Sequence, residues 1–333
     1  MNEQVPETFR AFRIHNDEAG YRAGVESISL ADLDEGDVTI RVRHSGINYK
    51  DALAGTGKGK ILRRYPMCGG IDAAGAVVAS SSDAFPPGQE VLVTGYGLSE
   101  TRDGGYTEYL RLDSGMPIAL PAGLNPFESM VIGTAGFTAA LSLYRMEING
   151  QKPEDGPVVV TGASGGVGSM AIDILSGAGY EVHAISGKPE QFEWLESLGA
   201  SQCFSRHELE WGQRPLESAR WAGCVDSVGG DMLSGIAAAI KPWGNIASCG
   251  LAGGIKLNTT VMPFIIRGVS LLGIDSPQCP MEIRNEIWPR LGSSWKPRHL
   301  AEICRERVGL EGMDEVFNRM LAGDSLGRVV VDL

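Results

Sequence analysis

The sequence predicts an α/β protein in which a β-barrel comes first and a doubly wound parallel sheet follows. Its 333 residues suit about two domains. In the first third, short strand-like runs are separated by clusters of Pro, Gly and Ser, such as SSSDAFPPGQ at residues 80–89, a pattern typical of compact, partly closed barrels. From Pro126 onward, apolar strands alternate with helical segments, which indicates a parallel sheet covered by helices.

Two-residue alternation marks the strands of the barrel. In VTIRVRHS (38–45) the apolar positions 38, 40 and 42 share one face, and the polar positions 39, 41 and 43 share the other. Shorter strands are expected at residues 73–79, 90–94 and 106–112.

The second part begins with a predicted helix at residues 127–146. The strand PVVVTG (157–162) follows and leads into a helix from Gly166. After the strand EVHAIS (181–186), Pro189 suits the first turn of a helix that ends at Gly199. Further strands are expected at residues 223–228, 245–249, 269–273 and 328–333.

Composition excludes several classes of protein. The 29 basic and 41 acidic residues give a net charge of -12, which argues against a general nucleic-acid binder because phosphate contacts need a basic excess. No apolar run approaches the roughly 20 residues that span a bilayer, and the N-terminus lacks the apolar core of a secretory signal. The six cysteines form no CxxC pair and no cluster with metal-ligand spacing. We expect a soluble, cytoplasmic protein without a metal site.

The strongest local motif is VVVTGASGGVGSMAIDIL at residues 158–175. A buried strand runs into a turn with Gly162, Gly165 and Gly168, and this turn opens an amphipathic helix. Small residues let backbone N–H groups approach a pyrophosphate, and the helix N-terminus favours its negative charge. The strand–turn–helix context predicts a dinucleotide site, and the alternative is a tight turn without a ligand.

The end of the next strand favours NADPH over NADH. NAD enzymes usually place an acidic residue there to hold the ribose 2′-hydroxyl, but this chain reads Ser186-Gly187-Lys188. A hydroxyl and an ammonium group suit a 2′-phosphate, and Arg206 can add a second cation after the following strand. The alternative is that Lys188 and Arg206 are solvated surface charges.

Together these features resemble the zinc-free quinone-oxidoreductase branch of the medium-chain dehydrogenase/reductases. Several stretches resemble its bacterial acrylyl-CoA reductase subgroup, namely SGINYKDALAGTGKGKILRRYP, GIDAAG, GGYTEY, GTAGFTAAL, CGLAGG and TTVMPFIIRGVSLLGIDS. The resemblance covers essentially the whole chain. It implies a GroES-like catalytic domain from residues 1–125 and 276–333 and a Rossmann NADP-binding domain from residues 126–275. It also implies NADPH-dependent reduction of the C=C bond of acrylyl-CoA to propionyl-CoA.

The chain departs from the zinc alcohol dehydrogenases at their metal ligands. Where those enzymes carry a cysteine before an aspartate, this chain reads Asn48-Tyr49-Lys50-Asp51, and their Gly-His-Glu is replaced by Gly70-Ile71-Asp72. Without a thiolate or imidazole at these positions, a catalytic zinc site is incomplete. Alcohol chemistry, which uses zinc as a Lewis acid, is therefore disfavoured, whereas reduction of an activated C=C bond does not need the metal.

The resemblance also implies which residues bind the cofactor. They are Tyr49, Ser164, Gly165, Gly166, Val167, Ser186, Gly187, Lys188 and Arg206, with Leu251, Ile265 and Ser276 near the nicotinamide half. Small residues in CGLAGG (249–254) follow an expected strand and agree with a ligand at the carboxyl edge of the sheet. Residues 226–230 have the same character, but they equally suit a helix start with a tight turn.

Tyr49 is the leading candidate for catalysis. Conjugate reduction of an enoyl thioester needs a hydride at the β-carbon, a polarised carbonyl and a proton at the α-carbon. A tyrosine is protonated at neutral pH, so Tyr49 can donate that proton or hydrogen-bond the cofactor. The alternative is an aromatic packing residue that shapes the pocket. Asn48 and Asp51 can orient the tyrosine, although Asp51 also suits a helix cap.

A basic segment, GTGKGKILRRYP (55–66), places Lys58, Lys60, Arg63 and Arg64 close together in an otherwise acidic chain. Such a loop suits the phosphates of coenzyme A, and the alternative is a solvated run of charge. An NADPH:quinone oxidoreductase and a non-catalytic NADPH-binding protein stay open as rival functions, because a fold alone does not define a function. The apolar segment 263–274 predicts a homodimer in which the sheet extends across two subunits.

Overall fold

The computed structural model describes residues 4–211 and 214–333, which divide into two compact units. The first takes its described residues from 1–134, 277–285 and 300–333, and the second from 135–276 and 286–299. The domain limits expected from the sequence stay a prediction. No helix within the described residues is both long enough and apolar enough to cross a membrane.

The elements follow the chain in this order. Up to residue 148 they are β1 (Phe9–Asp17), β2 (Gly20–Ile28), β3 (Val38–Gly46), α1 (Tyr49–Gly55), β4 (Met67–Cys68), β5 (Asp72–Ser80), β6 (Glu90–Thr94), β7 (Tyr109–Leu112), β8 (Ile118–Ala119) and α2 (Pro126–Ile148). Next come β9 (Val158–Thr161), α3 (Gly166–Gly177), β10 (Val182–Ser186), α4 (Phe192–Ser197), β11 (Gln202–Ser205), β12 (Trp221–Asp226), α5 (Gly230–Ala239), β13 (Ile240–Ser248), α6 (Met262–Arg267) and β14 (Ser270–Gly273). The last are α7 (Met281–Leu291), α8 (Leu300–Ile303), β15 (Cys304–Val308), α9 (Met313–Leu321) and β16 (Arg328–Asp332).

The first unit is built from two sheets. A three-stranded sheet has the order β2-β1-β4, and a seven-stranded sheet has the order β15-β16-β3-β5-β6-β8 with β7 also paired to β3. The alternation expected for residues 38–45 is confirmed, because Val38, Ile40 and Val42 lie in a buried core with Val77 and Leu110. The hairpin of β1 and β2 was not predicted, although the two strands pair along their whole length.

The second unit contains a six-stranded parallel sheet in the order β11-β10-β9-β12-β13-β14. The β-barrel followed by a doubly wound parallel sheet is therefore the fold that the sequence predicts. The strand expected at 106–112 begins only at Tyr109, because residues 104–106 bond to the backbone of Cys68, Gly69 and Gly70 instead. The strand expected at 245–249 starts earlier, at Ile240.

Helix α2 contains one break in its regular backbone. Gly133 has φ of 48° and ψ of -157°, which a residue with a Cβ rarely adopts. A Cβ at this position would also lie 2.6 Å from Oδ2 of Asp72. Glycine therefore lets the turn at residues 133–134 approach a buried carboxylate closely.

Candidate functional site

The glycine-rich turn between β9 and α3 offers its backbone to an anion. Gly165 precedes α3 in an extended conformation, and Gly165, Gly166 and Val167 are partly exposed. A Cβ on Gly168 would lie 2.6 Å from Cα of Ala163, so only glycine lets the helix pack this closely on the turn. The N–H of Gly165 donates to the carbonyl of Gly162 at 2.9 Å. The N–H groups of Gly166 and Val167 in the first turn, together with the positive end of the twelve-residue helix, are suited to a pyrophosphate.

A polar group lies at the carboxyl ends of β10 and β11. The Ser186 hydroxyl donates to Oγ of Ser164 at 3.1 Å and accepts the N–H of Lys188 at 3.1 Å. The N–H of Arg206 donates to the carbonyl of Ser186 at 2.9 Å. Four predicted cofactor residues, Ser164, Ser186, Lys188 and Arg206, are therefore brought together, and their hydroxyl and cationic groups are suited to a phosphate.

A buried carboxylate at the start of segment 226–230 supports the glycine-rich turn. Asp226 ends β12 with no exposed surface and accepts the hydroxyl of Thr161 at 2.6 Å and the N–H of Gly229 at 2.9 Å. Burial raises the pKa of this carboxyl group. Because α5 begins at Gly230, residues 226–230 form the helix start with a tight turn. The only signal for Asp226 was an acidic residue at the end of a buried strand.

The three residues expected near the nicotinamide half have different environments. Leu251 and Ile265 are 59% and 68% exposed, the first in the loop after β13 and the second on α6. Ser276 is buried, and its hydroxyl lies 2.6 Å from Oγ1 of Thr138. All three stay predicted cofactor contacts.

In the first unit, Tyr49 is the first residue of α1 and is 45% exposed. Its phenol makes no hydrogen bond with any residue in the described part of the chain. Asn48 is the N-cap, and its N–H donates to Oδ2 of Asp51 at 2.9 Å. Asp51 is the third residue of α1 and so has the capping role that the sequence suggested. Burial, reinforced by the negative charge of Asp72, raises the pKa of Asp51 to about 7.

Residues 48–51 and 70–72, at the positions where zinc alcohol dehydrogenases carry metal ligands, do not fit zinc. Oδ2 of Asp72 accepts the side-chain amide of Asn48 at 2.8 Å, and Oδ1 accepts the hydroxyl of Thr134 at 2.5 Å. Arg328 lies 3.8 Å from the same carboxylate. Across residues 4–211 and 214–333, no group of three or more His, Cys, Asp or Glu side chains is arranged to hold a metal ion.

All four cations in the basic segment are exposed, and they differ in their partners. Lys58, Lys60 and Arg63 make no side-chain hydrogen bond or ion pair with any described residue. Arg64 differs, because its guanidinium pairs with Asp34 and lies 3.4 Å from Asp103. The loop therefore presents three cations that pair with no described residue, and the exposed fourth is paired with acidic neighbours.

Comparison with known proteins finds two family matches and close relatives along the whole chain. Residues 34–122 match the alcohol dehydrogenase GroES-like domain, and residues 166–292 match the zinc-binding dehydrogenase family. The Bacillus subtilis protein named "Putative quinone oxidoreductase YhfP" is 45% identical over 98% of this chain and 99% of its own. The acrylyl-CoA reductase AcuI of Ruegeria pomeroyi is 43% identical over 98% of this chain and 99% of its own.

Two solved structures have the same fold along nearly the whole chain. The yhdH oxidoreductase from Salmonella enterica, in complex with NADP, has a TM-score of 0.94 at 44% identity and covers 97% of this chain and 99% of its own. The Bacillus subtilis protein yhfP, with NAD bound, has a TM-score of 0.95 at 44% identity and covers 98% of this chain and 100% of its own. The two neighbours thus hold different nicotinamide coenzymes.

Proposed function

The chain belongs to the medium-chain dehydrogenase/reductase family, and on this basis we propose that it is a zinc-independent reductase of short 2-enoyl-CoA thioesters. Acrylyl-CoA is the first candidate substrate, with propionyl-CoA as the product, and NADPH is the proposed reductant. The observation that carries the choice of a CoA ester is the exposed basic loop, because a quinone has no phosphates to attract it.

The second unit supplies the proposed cofactor residues. When bound, NADPH supplies a hydride for the β-carbon of the substrate. The N–H groups of Gly166 and Val167 would hold its pyrophosphate, and Ser186, Lys188 and Arg206 would hold the 2′-phosphate. The absence of an acidic residue from Ser186-Gly187-Lys188 favours NADP over NAD.

The first unit supplies the proposed proton donor. The phenol of Tyr49 would donate its proton to the α-carbon or hydrogen-bond the cofactor, and water would restore the proton after each turnover. Its partial exposure and lack of a hydrogen-bond partner within the described residues support this role, since a tyrosine that only packs would be expected to bury its ring.

The exposed loop gives the substrate proposal a direct test. Neutralising Lys58, Lys60 and Arg63 together by substitution with Gln is expected to raise the KM for acrylyl-CoA by about tenfold or more, because charge-assisted phosphate contacts are lost. The KM for NADPH and for acrylyl-pantetheine, which lacks the nucleotide of CoA, should change little. Arg43→Gln, which removes an exposed cation paired with Glu90, is the matched control. An equal rise in KM for both thioesters would contradict CoA recognition by this loop.

An NADPH:quinone oxidoreductase is the second candidate, favoured by the name of the relative YhfP. Oxidation of NADPH should be followed with acrylyl-CoA and, separately, with 1,4-benzoquinone. Faster turnover of the thioester supports our proposal, and faster turnover of the quinone contradicts it. Binding of NADPH without turnover of either acceptor would favour a non-catalytic NADPH-binding protein.

We also propose that the chain forms a homodimer in the cytoplasm. The support for a dimer is that β14 lies at the edge of the six-stranded sheet and that Ile265, Ile266 and Leu271 on and near it are exposed. An edge strand with apolar neighbours is suited to pairing with a second copy about a two-fold axis.

A further inference from the structure

The first unit contains a buried charge cluster that joins four separate segments of the chain. Asp72 on β5 and Arg328 on β16 are 0% and 3% exposed, and their side chains lie 3.8 Å apart. The carboxylate of Asp72 also accepts the N–H and the hydroxyl of Thr134, at 3.0 and 2.5 Å. It accepts the side-chain amide of Asn48 at 2.8 Å. Asp72 thus contacts the start of α1, the break in α2 and the last strand.

The side-chain amide of Asn48 has only one orientation that satisfies this cluster. Its NH2 group donates to Oδ2 of Asp72 at 2.8 Å and to Oδ2 of Asp51 at 3.2 Å. Its oxygen accepts the guanidinium of Arg328 at 3.1 Å. A flipped amide would place its NH2 group against the Arg328 guanidinium and its oxygen against the Asp72 carboxylate, and both contacts would become unfavourable.

Arg328 is held by backbone as well as by Asp72. Its guanidinium donates to the carbonyls of Ile47 at 2.7 Å and Val131 at 3.0 Å. A buried cation needs such partners, because leaving it unpaired in a low-dielectric interior is costly. The cluster is therefore a rigid frame around Asn48, and Tyr49 follows Asn48 directly at the start of α1.

We propose that Asp72 is a positioning residue for Tyr49, acting through the Asn48 amide that it holds. This inference rests on the proposed role of Tyr49 in catalysis. The Asp72 carboxylate sets the orientation of Asn48, the N-cap of α1, and thereby the direction in which the first residue of α1 presents its phenol. Arg328 balances the buried charge of Asp72 and contacts the other end of the same amide. The frame does not touch the phenol itself, so its effect is on placement of the phenol.

A double-mutant cycle separates positioning from general stability. Kinetics would be measured for the wild type, Asp72→Asn, Tyr49→Phe and the double variant. Asp72→Asn should lower kcat by about tenfold or more while the KM for NADPH stays within about twofold, because a displaced group loses transition-state contacts. In the Tyr49→Phe background, Asp72→Asn should lower kcat little further, since the phenol that Asp72 positions is already absent. Additive losses, or an unchanged kcat in folded Asp72→Asn, would overturn the proposal.

A milder variant keeps the test decisive if Asp72→Asn fails to fold. Thr134→Val removes one hydrogen bond to Asp72 and leaves the buried charges paired. It should lower kcat by a smaller factor, about two- to fivefold, again without further loss in the Tyr49→Phe background. Arg43→Gln, in an exposed ion pair on the same sheet, is the control and should change neither kcat nor KM.

The cycle can fail independently of the substrate proposal. If the wild type reduces 1,4-benzoquinone and not acrylyl-CoA, the substrate proposal fails. The double-mutant cycle is then measured with the quinone as acceptor and still tests whether Asp72 positions Tyr49. A readout without turnover is hydrogen–deuterium exchange at residues 48–55. Exchange in Asp72→Asn should be about tenfold faster than in the wild type, because the N-cap is released, and unchanged in Arg43→Gln. Equal protection of this segment in Asp72→Asn and wild type would overturn the inference.

Discussion

The side chain of Arg206 passes directly over the backbone of Gly187. A Cβ on Gly187 would lie 2.5 Å from Nε of Arg206, closer than real contacts allow, so glycine is what lets the arginine cross this strand end. The N–H of Arg206 also donates to the carbonyl of Ser186. The position of Arg206 is therefore fixed both by this backbone hydrogen bond and by the packing of its side chain on Gly187.

Gly187→Ala is therefore expected to displace Arg206 and weaken the binding of NADPH by several-fold, with little effect on NADH, which lacks the 2′-phosphate. Dissociation constants for both coenzymes, measured by fluorescence titration, check this. Gly115→Ala is the matched control, because a Cβ there meets no atom within 4 Å. An equal loss of affinity for the two coenzymes would point to distortion of the whole turn instead.

Removal of the two cations tests the choice of coenzyme directly. Lys188→Ala and Arg206→Ala should each lower the affinity for NADPH by about tenfold or more, since a charge-assisted phosphate contact is lost, and leave NADH nearly unchanged. The measured quantity is the ratio of the two dissociation constants. An unchanged ratio in both variants would show that the 2′-phosphate is not bound here.

The buried carboxyl group of Asp51 should make the stability of the fold depend on pH. Burial raises its pKa to about 7, so the folded state holds a proton that the unfolded chain releases at lower pH. The stabilisation from this group is complete below the unfolded pKa and is lost as the pH rises through about 7. For one proton, the free energy of unfolding falls by at most about 1.4 kcal/mol per pH unit in that window.

Urea unfolding at pH 5, 6, 7 and 8 measures this dependence. Other buried carboxyl groups, such as Asp103 and Asp226, also have raised pKa values, so the wild type has to be compared with Asp51→Asn. The variant should show a shallower loss of stability between pH 5 and 8. Parallel curves for the two proteins would mean that Asp51 does not titrate in this range.

A charge on the edge strand should disrupt the proposed homodimer. Leu271 is on β14 and 40% exposed, and Leu271→Lys would place an ammonium group along the edge that a second copy would pair with. Light scattering should give the mass of two chains for the wild type and one for the variant. Val25→Lys, at an exposed apolar position on β2, serves as the control. A single-chain mass for the wild type in dilute solution would refute the dimer.

Several parts of the fold follow from local sequence. The strand–turn–helix of residues 158–177 combines an apolar strand, a glycine-rich turn and an amphipathic helix in one stretch, so the pattern and the structure involve the same neighbours. The hairpin of β1 and β2 was missed because its turn, residues 18–19 before Gly20, lacks the Asn-Gly or Asp-Gly signal of a tight hairpin. The ion pairs of Arg64 left no signal in the sequence either, since its partners Asp34 and Asp103 lie 30 and 39 residues away.

By itself, the sequence determined the order of β-barrel and parallel sheet, the glycine-rich turn, and the presence of a hydroxyl and two cations where an acidic residue would favour NAD. Each of these depends on spacing within a few residues or on the identity of one side chain. Only the tertiary structure decided how Asp72 is used, because its partners Asn48 and Thr134 lie 24 and 62 residues away. Arg328 lies 280 residues from the Asn48 amide that it contacts. A buried charge is tolerated only where the fold assembles its partners, and such partners leave no periodic pattern in the chain.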